Sequence, residues 1–385
     1  MSEYEQLGVS PSKEEVHQAV RKLPPSPFPN AFARILKKGD RAFALHVDTA
    51  GTKPALAYIY WRETGDLNVW RWIARDAIVM NIDDLACAGF TTGFSLASNI
   101  ARNKHIIPAE VIETIIDENI RYCAWLQDLG IECMPAGGET ADVGDIVRTI
   151  DVGITAHAEM PADHVRTVSI RPGDVVIGIA SEGRCRYDPD YNSGIGSNGL
   201  TLARHAVLHR EYARKYPETL APQSPPDAVY RGDGKVTDRL TIADDTRTLG
   251  QLLLSPTRTY LPYINKVWRT APASIHGIIH CTGGGQAKVL HFLENVRVVK
   301  DDLFPVPLVF RIIQEKGGVP WKEMYRVFNM GHRLELYVRS SSADVLIAAA
   351  QALGLSARVI GRCEASDRPA VRIYSSPAQQ WFEYA

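Results

Sequence analysis

The stretch Gly137-Gly138-Glu139-Thr140-Ala141-Asp142-Val143-Gly144-Asp145 limits this chain more than any other. Neither glycine carries a Cβ, so the backbone there can approach a ligand closely. The carboxylates that follow sit among small residues and can crowd round a hard cation. Residues 146–154 then read as a strand. Glycines, clustered acids and a strand fit a polyphosphate with its magnesium. An acidic surface turn fits the same residues equally well. Two more stretches of similar character favour the first reading.

The first is Asp48-Thr49-Ala50-Gly51-Thr52-Lys53, which follows the apolar strand 42–47. The acid can hold a cation and the lysine can neutralise an anionic oxygen. The Walker spacing G-x-x-x-x-G-K-[ST] is missing. The second is Gly283-Gly284-Gly285, between a strand at 274–282 and a helix at 286–293. It presents free amides to an anion; a tight turn is the alternative, though three glycines are more than a turn needs. A helix over 70–85 carries Asn81, Asp83 and Asp84, and adjacent acids on an apolar helix are costly to bury unless something cationic meets them.

At 385 residues the chain predicts two domains, with the boundary at the composition break before the turn Arg171-Pro172-Gly173-Asp174: 1–165 and 166–385. The 43 basic and 44 acidic residues nearly balance, which argues against a nucleic-acid partner. No apolar run spans a bilayer and the N-terminus has no signal-peptide pattern. The six cysteines include no C-x-x-C pair, so neither a disulfide framework nor a zinc site is expected; they read as reduced thiols of a cytoplasmic protein. His205 and His209 have the i, i+4 spacing of zinc ligands but lack a third ligand at a suitable spacing. His276 and His280 lie on a strand, where four residues span about 13 Å, too far to chelate one ion.

Ser12 and Glu15 make a capping box for a first helix, with Val16, Ala19, Val20 and Leu23 on one face. Pro108 opens another helix, with Ile112, Ile115, Ile116, Ile120, Cys123 and Leu126 inward and Gly130 as its stop. Beyond the boundary come a strand at 175–180, a loop at 184–196, a helix from Ser197-Asn198-Gly199 to Val207 and a surface stretch at 216–247. The tail alternates helix 308–315, strand 333–338, helix 343–353 and strand 357–360.

Taken together, these stretches resemble the phosphoribosylformylglycinamidine cyclo-ligase (aminoimidazole ribonucleotide synthetase) family over nearly the whole chain. Residues 48–53 resemble its D-G-V-G-T-K, and 137–141 match G-G-E-T-A. Residues 197–199 match the end of H-S-N-G. Pro256-Thr257-Arg258-x-Tyr260 matches P-T-R-x-Y, His280-x-Thr282-Gly283-Gly284-Gly285 matches H-I-T-G-G-G, and 328–331 resemble F-N-x-G. The chain departs from the pattern in places. Thr49 and Ala50 replace Gly and Val, Asp83 replaces an asparagine, and Gly196 stands where H-S-N-G has its histidine. Gln286-Ala287-Lys288 follows the glycines where an E-N pair is usual.

The resemblance implies an α+β fold of two domains. Its N-terminal sheet, the ATP and metal half, forms a barrel with a twin in a homodimer. Its C-terminal sheet, the substrate and phosphate half, is covered by helices. It implies ATP-dependent ring closure of formylglycinamidine ribonucleotide in purine biosynthesis, with ATP and Mg²⁺ as cofactors. Asp48, Asp84 and Glu139 are the implied metal ligands. Thr52, Lys53, Gly137, Gly138, Glu139, Thr140 and Gly283 to Gly285 surround the nucleotide, with Lys53 on its phosphates. Ser197, Asn198, Gly199, Arg258 and Thr282 face the substrate, and His280 transfers a proton beside catalytic Lys53 and Asp48. Asp142 and Asp151 are either supporting acids or structural. Loop 184–196, with Arg184, Arg186, Tyr187 and Tyr191, is expected to supply a contact for the missing histidine. A thiamine monophosphate kinase-like or selenophosphate synthetase-like enzyme is the alternative, as is a catalytically degenerate nucleotide-binding relative. The histidine before Thr282-Gly283 argues against selenophosphate synthetase, whose motif there resembles D-V-T-G.

Overall fold

The computed structural model describes residues 3–10, 14–20, 22–242 and 245–385. Its strands are β1 Leu36–Lys38, β2 Arg41–Thr49, β3 Phe94–Arg102, β4 Cys133–Asp142, β5 Ile150–Pro161, β6 Asp174–Ala180, β7 Arg239–Ile242, β8 Asp245–Thr248, β9 Ile275–His280, β10 Val296–Lys300, β11 His332–Arg339, β12 Ala357–Ala365, β13 Ala370–Ser375 and β14 Gln380–Tyr384. They form a five-stranded sheet in the order β1-β2-β5-β3-β4, a seven-stranded sheet in the order β14-β13-β10-β12-β6-β11-β9, and the hairpin β7-β8. Each large sheet comes from one side of residues 162–173. No helix of the described residues is long and apolar enough to cross a membrane.

The helix Asn68–Cys87 is the pivot of the molecule. It is buried almost continuously from Ala77 onward and packs against β2, β5, β9 and the helix Leu261–Thr270. Lying between the halves, it has polar residues on two faces. Asp76 and Asp83, seven residues apart, face residues 255–260, while Asn81 and Asp84 meet β2 and β9. Strand β2 alternates: Ala42 and Ala44 are buried, while Leu45 and Val47 point outward and are more than half exposed. It delivers Asp48 to the sheet end, where the helix Lys53–Thr64 begins with Pro54 in its first turn.

Several expected elements shift. The Gly137–Asp142 stretch is no loop but part of β4, an edge strand exposed along nearly its whole length. Gly138 is required by strand packing, since a Cβ there would stand 2.2 Å from the Ser98 carbonyl oxygen of β3. The following strand starts at Ile150, and Ile146 is 82% exposed in the preceding turn. The helix Ala109–Asp128 buries Ile112, Ile115, Cys123 and Leu126 but leaves Ile116 and Ile120 exposed. Val16, Val20 and Leu23 likewise face outward, and Ser12 of the expected capping box lies outside the described residues. Residues 285–292 form a 3-10 helix, and β13 and β14 extend the tail beyond the expected strands. His205 is buried against the Tyr230 ring and His276 pairs with Asp174, so neither belongs to a metal cluster.

Candidate active site

A cleft of ≈ 480 Å³ opens between the halves, and Asp48, Thr52, Asp84, Asn198, Thr282 and Lys288 line it. Ser197, Gly199, Gly283 and Gly284 also line it.

The two acids are set differently. One Asp48 oxygen accepts from the Thr49 N–H at 2.7 Å. Burial raises this carboxyl above the ordinary range, the Thr49 amide opposes that, and Asp84 adds to the rise. One Asp84 oxygen accepts from His280 Nδ1 at 2.7 Å, and the other lies 3.8 Å from His46 Nε2. Burial pushes Asp84 up as well, yet Lys288, His280 and His46 hold it below the usual range. The second oxygen of each carboxylate makes no hydrogen bond to a described residue. Two such oxygens suit a hard cation, and Mg²⁺ commonly takes one or two carboxylates and completes its shell with phosphate and water. Asp48 and Asp84 would hold it. No group of three His, Cys, Asp or Glu among the described residues is placed to ligate one ion.

Gly283 and Gly284 line the same cleft as the acids, and their N–H groups have no hydrogen-bond partner among the described residues. Such paired free amides are an anion cradle. Gly285 is not part of it: it is buried, and a Cβ there would stand 2.7 Å from two backbone carbonyl oxygens. Beneath the turn, Lys300 donates to the Gln286 carbonyl and side-chain oxygens and to Glu335. Gln286 in turn donates to the carbonyls of Asn329 and His332. On the third wall, the Ser197 hydroxyl donates to the Ala50 carbonyl at 2.9 Å and Thr52 bonds Thr201 at 2.7 Å. These two bonds tie the turn after β2 to Ser197 and to the helix that follows Gly199.

Seven expected site residues lie elsewhere. Lys53 is fully buried; its amine pairs with Asp76 at 2.8 Å and donates to the carbonyls of Gly196 and Ser255. It joins three segments, and Asp76 gives the buried ammonium the countercharge it needs. His280 is also fully buried. Arg333 Nε donates to its Nε2 at 3.2 Å, which fixes the tautomer with the proton on Nδ1. Both ring nitrogens are occupied, and Nδ1 holds Asp84 in one orientation. Arg258 is buried in a pair with Asp188 at 2.8 Å, and its carbonyl accepts from Arg333. Glu139 sits three strands from β2 in the sheet order, about 14 Å at the usual strand spacing. Gly137, Gly138 and Thr140 share that strand, and none of them lines this cleft.

Asp142 pairs with Arg102 at 2.7 Å on the surface, and Asp151 is half-buried on β5. Loop 184–196 packs on the scaffold. Tyr187 Oη donates to the Thr259 carbonyl, Tyr191 Oη to Glu182, and Asn192 to the Pro256 carbonyl. Arg184 pairs with Asp245. None of these side chains lines the cleft.

Two residues near the acids carried little sequence signal. Lys288 lines the cleft. His46 bonds Asn81 Oδ1 at 2.8 Å through Nδ1. Asn81 Nδ2 already donates to two carbonyls, so His46 is the donor and its Nε2 faces Asp84. Alternation along β2 puts His46 on the Asp48 face, which is the signal that was available.

Two family models match the chain: AIR synthase related protein, N-terminal domain, over residues 30–160, and AIR synthase related protein, C-terminal domain, over 171–374. The phosphoribosylformylglycinamidine cyclo-ligase of Lachnospira eligens is 30% identical over 355 residues, 89% of this chain and 87% of that protein. The cyclo-ligase of Pyrococcus furiosus is 32% identical over 307 residues, 78% and 73% of the two chains. Among solved structures, Thermotoga maritima PurL complexed with FGAR superposes with a TM-score of 0.56 at 14% identity. That match covers 94% of this chain but 48% of PurL, so this chain spans about half of it. A ThiL protein complexed with AMPPCP and TMP gives 0.54 at 13% identity, covering 94% and 92%. At these identities the solved structures establish the shared fold alone.

Proposed function

The chain belongs to the AIR synthase related proteins, and on that footing we propose that it closes the imidazole ring of aminoimidazole ribonucleotide from formylglycinamidine ribonucleotide, with ATP becoming ADP and phosphate. The formyl amide oxygen is a poor leaving group. Phosphorylation turns it into a good one, and an internal nitrogen then attacks the same carbon and expels phosphate. No covalent bond to the protein is needed. The protein positions the two substrates and offsets charge on the transferring phosphoryl group.

The observation that carries this reading is the pairing, across one cleft, of the Asp48–Asp84 acids with the free amides of Gly283 and Gly284. Asp48 and Asp84 would hold a Mg²⁺ ion, which when bound would neutralise charge at the phosphates. Ser197, Asn198 and Thr282 line the remaining wall and orient the ribonucleotide. His280 fixes Asp84, and Lys53 fixes the segments round Gly196 and Ser255.

Glu139 enters through a second copy of the chain. The edge strand β4 presents unpaired backbone, and the outer face of its sheet exposes Leu45, Val47 and Met134. A twin sheet laid on that face makes a homodimer and carries each Gly137–Thr140 strand towards the partner's cleft. The decisive assay is ADP release with formylglycinamidine ribonucleotide, with thiamine monophosphate, and with neither. Release that depends on the first substrate, with the cyclised product formed, supports the proposal. Release with thiamine monophosphate, or with no acceptor, overturns it.

A further inference from the structure

With Lys53 buried against Asp76, the charge expected on the nucleotide phosphates must come from elsewhere in the cleft. Lys288, three residues past the glycine turn, is placed for it. Its amine lies 4.6 Å from the Phe32 ring centroid and donates to Thr282 Oγ1 at 2.8 Å. These contacts aim the side chain but leave two of its three N–H donors without a partner among the described residues. It forms no ion pair there within 4.0 Å, although its charge is the strongest of those drawing Asp84 down. An ammonium near two carboxylates without touching either leaves room for something between them.

We propose that Lys288 binds the phosphoryl group held between the Asp48–Asp84 pair and the Gly283–Gly284 turn. The inference rests on the ATP-using reading above and adds to it the residue that neutralises the phosphoryl oxygens. Charge ordering supports it. A dication on the carboxylates and a nearby ammonium repel each other, and an anion inserted between them attracts both. Mg²⁺ and Lys288 therefore share the cleft comfortably when a phosphate is there too. Arg326, exposed at the rim, is left to other anionic groups.

The same chemistry occurs in the terminal phosphate of ATP and in the sugar phosphate of the ribonucleotide, so the test separates them. Lys288→Met keeps a flexible unbranched side chain beside Phe32 and removes the charge. Calorimetry then compares ATP and ADP, each with Mg²⁺, and ribose 5-phosphate. Titration with Mn²⁺ alone, followed by its electron spin resonance, reads the metal site without nucleotide. The expected result is ATP affinity reduced about 10–100-fold, the usual weight of a hydrogen bond to a charged group. ADP affinity should change by less than about 3-fold, and Mn²⁺ binding without nucleotide should be equal or tighter. Equal losses for ATP and ADP, a loss confined to ribose 5-phosphate, or weaker Mn²⁺ binding alone would each overturn the proposal. Unchanged affinities would do so too. If the methionine variant fails to fold, Lys288→Gln takes the same measurements. These are binding measurements, so they stay decisive even if the wild-type protein releases no ADP with the formylglycinamidine substrate. That outcome would remove the cyclo-ligase reading alone.

Discussion

Two acid-bearing segments of the N-terminal sheet differ in what surrounds them. At the end of β2, Asp48 meets Asp84, and the pair is fixed by Thr49, His280 and His46. On β4, Glu139 stands exposed on an edge strand with no such frame. The first segment is built like a finished half-site, because buried polar atoms hold each carboxylate in one orientation. The second is built like a surface that another molecule completes. Acid-rich stretches with the same look in sequence thus sit in opposite surroundings, one framed by buried partners and one exposed at a sheet edge.

The sharpest way to break this comparison is Asp48→Asn. Asparagine keeps the shape and the acceptor for the Thr49 amide but removes the charge a hard cation needs. ADP release should fall by about 10³-fold or more, the scale of lost transition-state charge stabilisation. Without ligand the variant should melt at an equal or higher temperature, since burial and Asp84 both disfavour the native charge. Near-parental activity at saturating magnesium would make Asp48 a turn cap and nothing more.

The frame beneath the glycine turn gives the next largest effect. Glu335 is fully buried and accepts from Lys300, from His332 Nε2 at 2.8 Å and from Tyr337 Oη at 2.6 Å. Burial alone would raise its carboxyl, but Lys300 and His332 draw it from 4.5 down to about 2. A depressed acid lends stability above its unfolded value and loses it as pH falls towards the folded one. Glu335→Gln should cost about 3–5 kcal/mol at pH 7 in chemical denaturation, as breaking a buried pair does. The gap from the parent should narrow as pH drops from 4.5 towards about 2. A gap that stays constant through that window would mean the pair is not ionised. Because Lys300 also holds Gln286, the cleft should suffer while the outer sheet face stays intact.

Mixing two dead variants tests whether β4 serves another copy. Asp48→Asn and Glu139→Gln proteins, unfolded and refolded together, should regain about a quarter of parental activity if each site draws one acid from each subunit of a symmetric dimer. No recovery would return Glu139 to its own chain or remove it from the site.

Much of this architecture was legible in the sequence, and the losses have physical causes. Asp48, Ser197, Asn198 and Thr282 were marked by element ends and Asp84 by adjacent acids on an apolar helix, and all of them line the cleft. Lys53 and His280 carried equally strong motifs but were read one layer too far out. Sequence shows that a charged residue sits at a strand end. It does not show that Asp76, on another element, waits to bury it. Asp76 is seven residues from Asp83 on one helix, a periodicity available to reading, but its partner at 53 is a tertiary fact. Gly137-Gly138 read as a ligand loop because a close approach of backbone to backbone and of backbone to ligand demand the same residue. Ile116 and Ile120 fit the apolar stripe, which records which side of the helix is greasy and not whether the same chain covers it.

The smallest expected effect concerns loop 184–196, where the comparison between cleft and scaffold is sharpest. Its position next to Ser197 made a substrate contact the natural expectation. The structure instead turns its side chains towards residues 252–260: Asp188 to Arg258, Tyr187 to the Thr259 carbonyl, Asn192 to the Pro256 carbonyl and Ser193 to the Leu252 carbonyl. Those residues also carry Thr257, which bonds Asp76, and Tyr260, whose N–H bonds Asp83. The loop therefore acts on the cleft only through the backbone it braces. Asp188→Ala leaves the Arg258 guanidinium buried with the Gly183 carbonyl as its remaining partner. The loss should be about 1–3 kcal/mol, the cost of an unmade buried hydrogen bond. The substrate KM should stay within about 2-fold of the parent, a change below 0.5 kcal/mol. A KM raised tenfold with an unchanged melting temperature would reverse this reading and make the loop a substrate-binding element after all.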